Sequence, residues 1–355
     1  MISLELNNII NNDDYIKKSY TFNNVEYTII KYDKNKINLL KNNNNDNDSE
    51  KFKVMSNYRS VILYNNKVVC YSPAKSIDYS KFKESFNCEE CWVEDFIDGT
   101  MINVFYDFIN ETWEIATKST VGGNICFFND VKNYQKNNTN NDETNEETNG
   151  ETNDEANVEN MNYTFRNMFF EACNLNNFNL NTLNINYSYT FILQHPFNRI
   201  VTPITIPSIY LIKVYEITNN TEENKATIKE LNLQNFISSS PYIFLNTNVK
   251  FVNKYPINDN FTSVKNYYTS NEIPYYCVGC MIYNEDGTRT KLRNNNYEIV
   301  RKLRGNQPKL QYNYLCLKKE NKIKEFLYYY PEYNFIFNKF KTKTFQYTNE
   351  LFMNY

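Results

Sequence analysis

The sequence predicts an α+β protein, built mainly from antiparallel sheets and ending in a small helical region. Two patterns carry that expectation. Short β-branched and aromatic runs recur from the N-terminus to about residue 293, separated by Asn- and Gly-containing turns. After about residue 295 the apolar spacing becomes helical, in YEIVRKLRG and LQYNYLCLKKENKIKEFLYYYPEY. Strands followed by a block of helices are the α+β order.

The elements follow in chain order. VEYTIIKY alternates as a strand should, and KNNNNDNDSE after it has nothing apolar to bury, so a surface loop is expected there. VILYNNKVVCYS reads as two strands joined by Asn65 and Asn66, a pair suited to a hairpin turn. MINVFYDFINETWEIAT gives a second hairpin turning at 109–111. SYTFILQH and SIYLIKVYEI are further strands, and CVGCMIYNEDGTRTKLR folds about an Asp-Gly turn. The predicted division is an N-terminal segment 1–57 with an Asn-rich loop, a main domain 58–293 and a basic helical region 294–355. Within the main domain, residues 131–160 are expected to be a disordered acidic insertion, since ETN-like units repeat there as in an expanded exposed loop.

Composition limits the function classes. With 355 residues and 41% hydrophobic content the chain can bury a sizeable core. Its 31 Tyr and 25 Phe against 7 Gly, with abundant Asn, Lys and Ile, reflect an AT-rich genome. The start has no basic region leading into an apolar run, and no stretch is long enough to span a bilayer. A cytoplasmic protein without a membrane partner is expected. The net charge of −3 conceals an asymmetry: residues 134–160 hold eight acids and one lysine, whereas 289–343 hold 14 Lys/Arg against four Glu. A basic C-terminal region suits a polyanion or, equally, a solvated helical face.

Five stretches, in order, resemble the adenylation domain of phage-type ATP-dependent RNA ligases, covalent nucleotidyltransferases. They are YRSVILYNNKVVCYSPAKSIDYSKF, EDFIDGTMINVFYD, WEIATKSTVGG, YTFILQHPFNRIV and CVGCMIYNEDGTRTKLR, spanning about 58–293. GTMINVFYD, LQHPFNRIV and RKLRGNQPKLQYNYL look closer still to uncharacterised ligase-like proteins of large cytoplasmic DNA viruses, so a viral or plasmid origin is expected.

The departures from the family decide the expected function. The resemblance implies a lysine amine that attacks the α-phosphorus of ATP and carboxylates that hold divalent metal. Here the lysine position before Asp98-Gly99 falls on Phe96, and two glutamate positions fall on Ile192 and Val278. None of these side chains can attack phosphorus or ligate Mg²⁺. The cations persist: Arg59, Lys75 (or Lys81 in its place), Lys118, Arg199, Lys291 and Arg293 fall at or near the family's phosphate-holding positions, and Asp98 remains. The resemblance thus implies a non-catalytic RNA-binding protein on a ligase scaffold, serving protection of tRNA or RNA ends, or immunity to an RNA-cleaving toxin. It would require no cofactor and have no metal site. The alternative is an active ATP- and Mg-dependent ligase whose nucleophile is a displaced Lys118 or Lys75.

In the C-terminal region Arg301, Lys302, Arg304 and Lys309 suit phosphate contacts, Tyr312 and Tyr314 could stack on bases, and Leu310, Tyr314 and Leu317 read as core. His195, the one histidine, suits a loop-orienting or phosphate-touching role. Cys88-x-x-Cys91 and Cys277-x-x-Cys280 have zinc-ribbon spacing, with buried free thiols the ordinary alternative. The oligomeric state is left open.

Overall fold

The computed structural model describes residues 1–10, 12–42, 46–126 and 163–355. The acidic insertion expected at 131–160 lies outside them. The chain divides into two units, residues 1–125 with 164–297, and 126–163 with 298–355.

The first unit holds three sheets. The largest runs β1 (Ile2–Glu5), β11 (Lys225–Glu230), β10 (Ser208–Asn220), β9 (Tyr187–Gln194), β7 (Thr100–Asp107), β8 (Thr112–Ala116). All of these pairs are antiparallel, and β12 (Lys250–Phe251) adds a short parallel pairing to β10. A second sheet orders β2 (Tyr15–Phe22), β3 (Val25–Tyr32), β4 (Val61–Tyr64) and β5 (Lys67–Tyr71). The third orders β13 (Lys254–Pro256), β6 (Cys91–Asp95), β14 (Gly279–Asn284) and β15 (Arg289–Arg293). The α+β class with antiparallel sheets and helices at the C-terminal end is as expected.

The hairpin turns form where the sequence placed them. Asn65 and Asn66 both adopt positive φ (45° and 58°), the left-handed conformation that Asn tolerates and a two-residue hairpin needs. The second sheet packs on the first through Val25, Tyr27, Ile29, Ile62 and Cys70 against Phe105, Ala116 and Val121. Each fully buried large apolar side chain contributes about 1.5–3 kcal/mol.

Two N-terminal expectations need correction. Residues 1–57 do not stand apart from the main domain: β1 pairs with β11, and β3 pairs with β4. Nor is the Asn-rich stretch mainly loop, since helices span Lys34–Asn42 and Asp46–Ser56. Composition misled because the second helix draws its anchoring residues from beyond the polar run: Phe52 and Met55 bury with Tyr32 and Ile37.

Strict alternation gives the third sheet two different faces. Cys91, Val93, Cys280, Ile282 and Leu292 turn one way, burying with Phe82 and Phe261 from helices Tyr79–Ser85 and Phe261–Tyr268. Trp92, Glu94, Met281, Tyr283, Arg289, Lys291 and Arg293 take the other positions of the same strands.

The second unit is helical: the helix Asn295–Arg304 from Glu298 onward, then Leu310–Lys319, Ile323–Tyr329 and Asn334–Asn354. Leu310, Tyr314 and Leu317 are buried there, as expected, within an aromatic core that includes Phe326, Tyr330, Tyr333, Phe337 and Phe340. Among the described residues no helix is long and apolar enough to cross a membrane.

Candidate functional site: a cationic cleft over an apolar floor

The polar face of the third sheet and strands β7, β9 and β10 of the largest sheet line a cleft of about 500 Å³, within the range of small-ligand sites. Its floor is apolar, with Phe96 and Ile97 from the segment between β6 and β7, Met101 from β7, Ile192 from β9 and Met281 from β14. Its basic lining residues, at the rim, are Arg59, Lys75, Lys118, Lys291 and Arg293, with Arg289 buried behind them. Residues 289, 291 and 293 share one strand face because side chains alternate, so the spacing in TRTKLR is itself a charge stripe.

The rim cations repel one another and are partly withdrawn from water. The Lys118 amine is pushed down to about 8 by burial first and then by Arg59, Lys31, Lys34 and Lys75. Lys291 is likewise pushed down to about 8, by burial and then Arg293, Arg59, Lys75 and Arg289. Burial and Arg289 bring Arg59 down to about 10. Aromatic faces hold several of these cations in place: Lys118 lies 5.1 Å from the Tyr32 ring, Lys75 5.0 Å from Phe52 and Arg293 5.6 Å from Phe96.

Three acids also line the cleft, Asp78, Glu94 and Asp95, and the last two are engaged from within. Glu94 accepts from Trp92 Nε1 at 2.8 Å and lies 3.8 Å from the ammonium of buried Lys213, which also pairs with Glu230 at 2.7 Å. Burial alone would lower the Lys213 amine, but Tyr283, Glu230 and Glu94 hold it above the ordinary lysine value. Asp95 accepts from the backbone N–H and side-chain amide of Asn253 at 3.2 and 2.8 Å.

Seven sequence-derived candidates therefore meet in one place: Arg59, Lys75, Lys118, Lys291 and Arg293 with the apolar Phe96 and Ile192. Three others do not line the cleft. Asp98 is buried, and its carboxylate accepts from the Val201 and Thr202 N–H groups (3.0 and 2.9 Å) and from Tyr297 Oη (2.8 Å), so it staples a loop. Arg199, also buried, donates from Nε and Nη2 to the Val201 carbonyl at 3.1 and 3.0 Å. Val278 is buried, with its carbonyl accepting from the Asn294 N–H, and a carboxylate at that position would begin outside the cleft. Sequence reasoning missed Arg289, Glu94 and Tyr32. The two-residue spacing from Lys291 was the available signal for Arg289.

Gly99 has a structural reason to be glycine. Its φ is +145°, and an added Cβ would stand 2.5 Å from the Leu193 carbonyl oxygen, so β7 can meet β9 only through glycine. His195 is buried and orients its loop: Nδ1 accepts from the Phe197 N–H at 3.2 Å, while Nε2 lies 3.3 Å from Glu171.

Within the second unit Arg304 corrects an expectation. It is buried, lies 5.2 Å from the Tyr333 ring and 6.0 Å from Tyr330, and donates to Tyr333 Oη at 3.1 Å. It cannot also reach RNA. Arg301 pairs with Glu298 at 3.3 Å, whereas Lys302, Lys309 and Tyr312 are exposed.

No set of three or more His, Cys, Asp or Glu side chains able to hold a metal occurs among the described residues. The zinc alternative for Cys88, Cys91, Cys277 and Cys280 fails on that test. Burial pushes the Cys91 and Cys280 thiols up, as for buried free cysteines.

The cleft defines the class of molecule: an α+β protein with a basic, apolar-floored cleft between two antiparallel sheets. No family model matches the sequence, and no curated protein matches it. Solved structures similar to it are ATP-dependent RNA and DNA ligases. An RNA ligase of Naegleria gruberi with PPi is 12% identical, covering 65% of this chain and 58% of that one, with a TM-score of 0.38. A putative ATP-dependent DNA ligase from Aquifex aeolicus is 10% identical, covering 80% and 60%, with a TM-score of 0.41. The chain thus spans about three fifths of the length of these two proteins. Other structures of the Naegleria ligase contain ATP or AMP with Mn.

Proposed function

We propose that this chain is a non-catalytic RNA-binding protein on a degenerate ligase-like scaffold, holding RNA phosphates in the basic cleft and protecting tRNA or RNA ends. One observation supports the reading: Phe96 and Ile192 line a cleft in which six Lys and Arg side chains outnumber three acids. Such a site attracts phosphate, while its floor supplies neither an amine to attack it nor an acid to bind magnesium. Exposed Lys302, Lys309 and Tyr312 on the C-terminal helices add RNA-facing chemistry of the same kind.

Filter binding to tRNA across a salt series tests the proposal. Affinity should fall with salt, with a shallower slope for Lys291→Ala. Salt-insensitive binding, or none, rejects it.

The depressed amine of Lys118 favours a second reading, an active ligase with a displaced nucleophile. Its amine would attack the α-phosphorus of ATP, forming an N–P bond, expelling pyrophosphate and releasing a proton to solvent. Incubation with ATP and Mg²⁺ followed by mass spectrometry of the denatured chain separates the readings. A chain heavier by one AMP establishes the second, and an unchanged mass leaves the first.

A further inference from the structure

We propose that the cleft is a metal-independent receptor for condensed phosphate, with Arg59, Lys75, Lys118, Lys291 and Arg293 supplying the positive charge that a divalent ion would otherwise bring. The inference rests on the reading of the cleft as a phosphate-holding site and specifies how it does so.

Magnesium bound with phosphates needs at least one or two carboxylates free to face it. Three acids line the cleft: Asp78 stands at the N-cap of the helix Tyr79–Ser85, and Glu94 and Asp95, adjacent on β6, are both engaged within the fold. Glu94 is bonded to the Trp92 indole and lies beside the Lys213 ammonium, and Asp95 is held by Asn253. Lys213 is itself an internal cation, fixed at 4.0 Å over the Tyr283 ring and 2.7 Å from Glu230. Glu94 is thus paired and Asp95 hydrogen-bonded by parts of the fold, and a metal ion using either would compete with those partners.

The rim presents the opposite situation. Arg59, Lys118 and Lys291 have no ion pair to a carboxylate among the described residues. Burial, and after it the neighbouring cations with Arg59 among them, holds the charge of Lys118 and Lys291 down. A single phosphate engages two or three such groups, whereas a run of linked phosphates can engage them all. The volume of about 500 Å³ leaves room for such a chain and for a base or ribose against Phe96, Ile192 and Met281. A nucleoside triphosphate and a 5′-triphosphorylated RNA end both carry this anion.

The test is calorimetric titration of the full chain with sodium tripolyphosphate, in EDTA and again in excess MgCl₂. One-site binding is expected in EDTA, and magnesium should weaken it several-fold by taking charge from the ligand. Lys291→Ala and Arg59→Ala should each weaken it about tenfold. Lys291→Gln is a volume-conserving check on folding, and Lys339→Ala on the C-terminal helix should change nothing. Competition by ATP against 5′-triphosphorylated and 5′-monophosphorylated RNA then identifies the natural carrier. Binding that appears only with magnesium, or that ignores the rim substitutions, overturns the inference. If tRNA still binds in EDTA while tripolyphosphate does not, this inference fails and the RNA-binding reading survives. If neither ligand binds, both fail.

Discussion

The strand Arg289–Arg293 and the helix Asn295–Arg304 follow one another in the chain and are similarly basic, yet their cations meet different fates. On the strand, Lys291 and Arg293 project into the cleft, and only Arg289 is turned inward, donating to the Ala74 carbonyl at 2.7 and 3.1 Å and to Tyr283 Oη. On the helix, Arg304 is sealed beneath Tyr330 and Tyr333, and Arg301 is spent on Glu298, leaving Lys302 in water. The difference is periodicity. A two-residue repeat places every second cation on one surface, whereas the helical repeat distributes 301, 302 and 304 around the axis, and one of them meets the core.

The sharpest way to break this comparison is Arg304→Ala. Its guanidinium is almost fully enclosed, and removing it abandons two ring faces, a hydrogen bond and a large volume. A stability loss of about 3 kcal/mol is expected from urea unfolding, with Arg304→Met recovering a good part through its volume. RNA affinity per folded molecule should not change. A stable variant with weakened RNA binding would show that the sequence-based role of Arg304 was right and its buried role wrong.

Lys291→Ala should do the reverse. Its side chain is largely in water, so unfolding should be nearly unaffected, while affinity for a phosphate ligand falls about tenfold, or ~1.4 kcal/mol. A fall in stability without a fall in affinity would mean that the strand stripe supports the sheet rather than a ligand.

These contrasts mark what could be read in advance. Elements specified locally were legible: Asn65-Asn66 and Gly287 satisfy turn geometry with their own φ angles, and alternation fixed which residues of β15 share a face. Residues whose meaning lies with a distant partner were not. Asp98 resembles a catalytic remnant until Val201, Thr202 and Tyr297 are seen donating to it, and Arg199 resembles a phosphate clamp until it folds back on Val201. The Asn-rich helix escaped notice because Phe52 and Met55, which hold it, lie beyond the polar run that drew attention.

A smaller effect is expected at the exposed helix lysines. Lys302→Ala and Lys309→Ala should each lower RNA affinity by less than about threefold, and each should reduce the slope of log affinity against log salt by roughly one if a phosphate contact is lost. An unchanged slope for both would assign all phosphate contact to the cleft and make the C-terminal helices bystanders.

The smallest effect is the most diagnostic of the cleft's electrostatics. The Lys118 and Lys291 amines stand at about 8 in the folded chain against an ordinary lysine value of 10.5. Between those values the unfolded chain binds more protons than the folded one, so stability of the ligand-free protein should rise as pH increases from about 8 to about 10.5. Both side chains keep exposed surface although the cleft partly desolvates their amines, and solvent screening limits the gain to about a degree in melting temperature. Phosphate affinity should move the other way, declining as pH climbs through 8 and the rim loses its charge. Opposite slopes for melting temperature and affinity, both flattened in Lys118→Ala/Lys291→Ala, tie the cleft's repulsion to its attraction for anions. Parallel slopes would assign the titration to groups elsewhere in the fold.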